Sequence, residues 1–250
     1  MNKTLLAIPA SILMVNAASA ATFFTDSASW ATAAGGTVVT ETFDGVDATS
    51  SVNGSYNAIN GTDSLSFDLT ATTGGNVLFS ASPAFSNGNT GNGIFFGIDP
   101  LKTLTFDLDA PASAFSFYGH DLFDTDGGLY SLEIELSYDG GATFVTEFLT
   151  DDTDGLGGNG AGEVDFTLSD ASTGTIDFGQ DNTGNVGDGV FFGFVSTSGI
   201  TNVRITHNTL VEAGENIGFD QISIVAVPEP SSTALLGLGG LALLARRKRS

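Results

Sequence analysis

The chain has 250 residues and no cysteine, and its 29 acidic residues against seven basic ones give a formal net charge of −22. A surface that acidic repels phosphate backbones and excludes nucleic-acid binding. The lack of cysteine excludes disulfides and thiolate metal centres. In chain order, Lys3 supplies a positive start, Leu5 to Val15 a mostly apolar stretch, and Ala18-Ser19-Ala20 a small-x-small pattern. This is the layout of a secretory signal, with cleavage by signal peptidase expected after Ala20. The apolar stretch is interrupted by Pro9 and Asn16 and falls short of the roughly 20 residues a spanning helix needs.

The body, residues 21–226, suits one domain of the larger all-β kind. With Lys3, Glu229 and the four basic residues after Ala245 set aside, 28 acidic residues face two basic ones, Lys102 and Arg204. Phe23 and Phe24 read as a short strand. Asp26 or Ser27 then caps a short helix running through Ala34 and stopped by Gly35-Gly36. Beyond it the hydrophobic period is two, with strands expected at Thr37 to Phe43, Leu65 to Leu69, and around Leu104, Phe106 and Leu108. The clearest strand is Leu129 to Tyr138, where Tyr130, Leu132, Ile134, Leu136 and Tyr138 share one face. Phe115 to Tyr118, Thr143 to Leu149, Val164 to Leu168, Val190 to Val195, Val203 to His207 and Ile217 to Val225 complete the set. Loops rich in Gly, Asn, Asp and Ser separate them. Many short strands with a single helix predict an all-β fold, a jelly-roll-like β-sandwich with twenty phenylalanines to fill its core. Residues 89–98 and 182–194 share an Asn-Thr-Gly-Asn…Phe-Phe-Gly pattern, which suggests equivalent loop-plus-strand units in facing positions.

Several residues carry candidate chemistry. Ser137-Tyr138-Asp139-Gly140-Gly141-Ala142-Thr143-Phe144 is similar to an Asp-box, a structural turn of sialidase propellers. One copy predicts a β-hairpin turn. Sialidase chemistry needs an arginine cluster, and the body has one arginine. Acidic loops suit calcium, a hard cation that takes several oxygens. Asp121, Asp124 and Asp126 are the first candidate ligands; they fit an EF-hand spacing only in part, because Leu122 occupies its first position. Asp151, Asp152 and Asp154 form a second cluster that reads as a solvated loop. Of the two histidines, His207 alternates with Val203 and Ile205 and is expected at the core edge. His120 shares a face with Ser116 and Tyr118 and is expected to be the more exposed. No nucleophile elbow or paired histidines support catalysis, while paired carboxylates for glycoside cleavage stay open among so many acids.

The segment Glu41-Thr42-Phe43-Asp44-Gly45 and the segment Gly218-Phe219-Asp220-Gln221-Ile222 resemble the first and last strands of jelly-roll carbohydrate-binding modules. That resemblance implies a structural calcium, with Glu41 and Asp220 as the two carboxylates it reaches. At the far end, Val227-Pro228-Glu229-Pro230 precedes a hydroxyl-rich triplet, an apolar run from Ala234 to Ala245, and Arg246-Arg247-Lys248-Arg249. The prolines keep the entry extended. The run is too short to span a bilayer comfortably and reads as a transient inner-membrane anchor, its basic end held cytoplasmic. This set of features resembles the PEP-CTERM sorting signal. Similar tails are also called ice-binding-protein C-terminal domains, a name for the tail and not for an activity. The resemblance implies recognition by an exosortase, a membrane cysteine transpeptidase, with the tail removed near Pro-Glu-Pro in an exopolysaccharide-producing Gram-negative bacterium. The expected protein is a secreted, non-enzymatic surface or matrix component that associates with polysaccharide through an edge at Tyr118 and His120. A secreted glycan hydrolase and a purely structural biofilm component are the alternatives.

Overall fold

A computed structural model of the chain describes residues 21–47, 50–57, 66–72, 77–80, 93–96, 102–120, 122, 130–151, 163–177, 189–209 and 217–227. Among the described residues, thirteen strands and one helix follow in the order β1 (Thr22–Phe24), α1 (Ser27–Ala34), β2 (Val38–Glu41), β3 (Gly54–Asn57), β4 (Ser66–Thr72), β5 (Val77–Ser80), β6 (Gly93–Phe96), β7 (Lys102–His120), β8 (Tyr130–Ser137), β9 (Val145–Asp151), β10 (Glu163–Leu168), β11 (Thr173–Asp177), β12 (Val190–Thr209) and β13 (Ile217–Ala226). Every ladder among them is antiparallel.

Two long strands make this set a sandwich. The rings of Phe106 and Phe115, both on β7, lie 5.4 Å apart. Nine residues of straight strand would hold them about 30 Å apart, so β7 folds back over itself. The β7–β12 ladder slips at the same place, between Val195, Ile200 and Asn202, as a bulged strand does where it bends. One layer therefore runs β3-β4-β7-β12-β8-β9-β10-β11, using the first half of β7 and the second half of β12. The other runs β1-β12-β7-β13, using the remaining halves. Beyond β13 it is continued by β6 and β5 at one end and by β2 at the other. Strands expected as separate short pieces at 104–108 and 115–118, and at 190–195 and 203–207, are thus single bent strands. The similar segments at 89–98 and 182–194 contribute β6 and the start of β12. These lie in the same layer on either side of the β7–β13 pair rather than in facing layers.

Phenylalanine fills the space between the layers. Phe43, Phe67, Phe79, Phe106, Phe115, Phe117, Phe148, Phe192, Phe194 and Phe219 are fully buried. Phe23 on β1 touches Phe148 and Phe166 of the facing layer with ring centroids 5.1 and 5.4 Å away, so even a three-residue strand ties the layers together. The helix has the expected bounds: Asp26 Oδ1 accepts from Ser29 N–H at 2.8 Å, and Gly35 closes the end in the left-handed region at φ 66°. It covers the outer face of the second layer, where buried Trp30 joins Ala114, Phe191 and Val225 in a second apolar cluster.

Candidate functional site

The outer face of that second layer carries three of the residues singled out from sequence. Register sets Asp220 opposite Tyr118 and Gly218 opposite His120 on neighbouring strands. Tyr118 packs edge-on against Phe191, ring centroids 5.2 Å apart. The expectation that His120 is the more exposed histidine is not met: His120 is 2% exposed and His207 4%. Alternation assigned His120 to the correct face of the strand, but that face is not open. A Cβ at Gly189 would lie 2.3 Å from His120 Cε1, so the imidazole is packed directly on the Gly189 backbone.

His207 faces the interior as expected. Its Nε2 lies 2.8 Å from the Leu122 carbonyl oxygen. Burial pushes its pKa down to about 4, against a smaller upward pull from that contact.

The two carboxylates of the expected calcium site are held locally. Glu41 pairs in register with Ile222, and its Oε1 accepts from Phe43 N–H at 2.6 Å. Burial raises its pKa, against the downward pull of the Phe43 and Thr42 amides. Burial, followed by the nearby Glu41 charge, also lifts Tyr56 to about 12. Asp220 Oδ1 accepts from Gln221 N–H at 2.6 Å. Phe43 and Gln221 both sit in the left-handed region, at φ 56° and 52°, a conformation that costs a non-glycine residue energy and needs surrounding contacts to hold it. Among the described residues no three His, Asp or Glu side chains converge as metal ligands. Asp121, Asp124 and Asp126 lie outside the described residues, as do Asp152 and Asp154, Ala18 and Ala20, and the tail from Pro228 through Arg246, Arg247, Lys248 and Arg249.

The Asp-box-like segment is a turn between β8 and β9. Ser137 Oγ donates to Asp139 Oδ1 at 2.8 Å, while Thr143 donates to the same carboxylate through its N–H at 2.9 Å and its hydroxyl at 2.7 Å. These bonds, the Thr143 hydroxyl first, hold the Asp139 pKa down to about 2. Gly140 and Gly141 supply the positive φ angles the turn requires, 74° and 81°. With its carboxylate committed in this way, Asp139 holds the hairpin together, as the sequence predicts.

Sequence reasoning missed two features of the first layer. An open groove on its outer side is lined by Leu149, Asp165, Phe166, Thr167, Thr173 and Gly174 from β9, β10 and β11. Leu149 is 40% exposed there. β11 carries only a weak alternating pattern, so its sequence announced no strand and hence no groove. The second feature is Glu147, a carboxylate only 2% exposed. It is the extra residue of a bulge between Ile134 and Glu135 in the β8–β9 ladder. A bulge reverses the alternation, which is why the sequence pattern could not show that Glu147 points inward.

The last strand leads directly into the tail. Ala226 pairs with Ala112, the Val227 N–H donates to the Pro111 carbonyl at 3.2 Å, and Ser113 Oγ donates to the Val225 carbonyl at the same distance. Ladder and backbone contacts therefore reach the residue before Pro228 with no spacer. The profile of the PEP-CTERM protein-sorting motif matches from 226 to 249, beginning inside β13. Residues 226–249 are a PEP-CTERM sorting motif. Such a motif marks a chain for export and surface sorting. No curated protein matches the chain. Among solved structures it is similar to the K2 cleaved adhesin domain of Lys-gingipain, at 14% identity and a TM-score of 0.45 over 76% of this chain and 99% of that one. It is also similar to a family 11 carbohydrate-binding module from Clostridium thermocellum in complex with a mixed-linked tetrasaccharide, at 13% identity and a TM-score of 0.28 over 72% and 98%. A third similar structure is TmCBM61 in complex with β-1,4-galactotriose, at 11% identity and a TM-score of 0.31 over 64% and 88%.

Proposed function

We propose that this chain is a non-enzymatic surface protein of a Gram-negative bacterium, exported by its N-terminal signal, trimmed by an exosortase, and associated with extracellular polysaccharide. The PEP-CTERM motif joined directly to the last core strand carries this reading. A tagged chain expressed with and without the exosortase tests the sorting. Loss of the tail only when the enzyme is present, abolished by Pro228→Ala with Pro230→Ala, supports it; tail loss without the enzyme overturns it.

The groove on the first layer is the proposed polysaccharide contact. Exposed Leu149 offers an apolar surface for a sugar ring, and the Thr167 and Thr173 hydroxyls with the Asp165 carboxylate offer hydrogen-bond partners around it. Retention on the organism's own matrix polysaccharide, lost in a Leu149→Asp, Thr167→Ala double variant, supports that assignment. Retention that survives the substitutions removes the groove, and no retention by the wild type removes polysaccharide association altogether. Calcium enters the same reading as a structural ion for the acidic run containing Asp121, Asp124 and Asp126. A ligand selective for the folded state raises the unfolding temperature, so a calcium-dependent rise abolished by Asp124→Asn with Asp126→Asn supports it, and an unchanged midpoint discards it.

A further inference from the structure

A carboxylate out of water needs a compensating partner, and a cation compensates it best. Glu147 is 2% exposed, yet among the described residues each hydrogen bond it accepts comes from a neutral donor. Tyr138 Oη donates to Oε1 at 2.7 Å, while Ser169 Oγ and the backbone N–H of Ala21 both donate to Oε2, the latter at 3.2 Å. Basic side chains are scarce in this molecule. The body has only Lys102 and Arg204. Arg204 is committed to Glu135, gripping it through Nε at 2.5 Å and Nη2 at 2.6 Å while lying over the Phe144 ring.

Ala21 is the residue that follows the expected signal cleavage. Its nitrogen is held in place, because Thr22 immediately after it pairs with Val195 and starts the β1–β12 ladder. While Ala20 is attached, that nitrogen is an uncharged amide with a single hydrogen. Hydrolysis of the Ala20–Ala21 bond by water leaves a carboxylate on Ala20 and an amine on Ala21, which takes up a proton at neutral pH.

We infer that Glu147 is a built-in receptor for the chain's own new N-terminus: signal-peptide removal after Ala20 places an α-ammonium on the Glu147 carboxylate and completes the sandwich. The inference rests on the cleavage site read from Ala18-Ser19-Ala20. The contact seen at Ala21, charged on the acceptor side alone, becomes a hydrogen bond between opposite charges. It pins β1, whose Phe23 bridges both layers, to β9. The precursor is consequently less stable than the mature protein, and full stability arrives only after export.

The test is a two-by-two cycle on the secreted chain. One axis adds a single glycine before Ala21, which moves the ammonium away from the carboxylate; the other is Glu147→Gln. Coupling between the two changes isolates their interaction from the cost of each alone. The added glycine is expected to lower the unfolding temperature by several degrees when Glu147 is present and to have little effect in the Glu147→Gln background. Equal losses in both backgrounds overturn the inference.

Should the Glu147→Gln chain fail to fold, titration of the ¹³C-dimethylated α-amine of the wild type decides alone. A midpoint well above the ordinary value of about 8 supports the pairing, and an ordinary midpoint overturns it. The titratable groups that donate to or accept from this site among the described residues are Glu147 and Tyr138. Asp170, beside Ser169, is turned to Ser172. Intact mass of the secreted chain separates the two ways of failing. A start other than Ala21 removes the cleavage reading and the inference with it, whereas a start at Ala21 without coupling removes the inference alone.

Discussion

His207 shows how a single buried side chain ties this fold to pH. Its folded pKa is about 4, whereas an unfolded histidine titrates near 6.5. Between those values the unfolded chain binds the extra proton, so stability rises with pH across that window and is lost as pH falls through it. At neutral pH the full contribution is present, up to roughly 3 kcal/mol on the linkage relation. Urea unfolding of the wild type and of His207→Gln at pH 7 and pH 4.5 measures it. The wild type is expected to lose more stability on acidification than the variant, and parallel losses would show that His207 is not responsible. His207 was legible in the sequence because it continues an inward alternation with Val203 and Ile205. His120 was only half legible. Its strand face follows from counting, but its burial depends on Gly189, 69 positions away, which no local pattern reveals.

At the scale of elements, the helix and its seat are the clearest case of sequence dictating structure. Asp26, Ser29 and Gly35 mark the ends of α1 in the chain itself. The seat is a different matter. Gly193 on β12 leaves room for Trp30, whose indole N–H donates to the Phe194 carbonyl at 3.2 Å. A Cβ at Gly193 would lie 2.6 Å from Trp30 Cδ1 and 2.7 Å from a Phe191 ring carbon. Gly193→Ala is therefore expected to cost about 1–3 kcal/mol, as overpacking of a filled site does, and to red-shift or broaden the emission of the chain's sole tryptophan. An unchanged midpoint with an unchanged spectrum counts against a tight helix seat. The long strands were legible only in halves. On β7 the inward residues are even-numbered before the bend, at Leu104 and Phe106, and odd-numbered after it, at Phe115 and Phe117. β12 switches in the same way, from Phe192 and Phe194 to Val203 and Ile205. A change of phase reads in a sequence as the end of one strand and the start of another, although here it is where a strand crosses between layers. β3, β5 and β11 were missed because none alternates: Gly54-Ser55-Tyr56-Asn57 and Thr173-Gly174-Thr175-Ile176-Asp177 are mostly small and polar, and Val77-Leu78-Phe79-Ser80 opens as an unbroken apolar run.

For the whole molecule the dominant electrostatic fact is 28 acidic residues against two basic ones in the body. Like charge spread over a compact body opposes the folded state, and dissolved salt screens the repulsion over a Debye length of about 10 Å at 0.1 M. The unfolding midpoint is expected to rise as sodium chloride goes from a few millimolar to physiological strength. A flat response would mean that local pairings outweigh the overall charge. Fold class and tail were readable from sequence because both are written in composition and period. The groove was not, because it needs β11, whose residues show too little alternation to mark a strand, and the Glu147 site was not, because Ala21 reaches Glu147 from a segment 126 positions away.

The direct passage from β13 into the sorting motif also has a mechanical meaning. Until the tail is removed, any pull on it reaches the body at Val227, and from there the tension runs along β13. That strand is flanked by β7 on one side and by β2 and β6 on the other. Tension along its axis is thus met by many backbone bonds in parallel rather than by one bond at a time, as it would be in an edge strand peeled from its end.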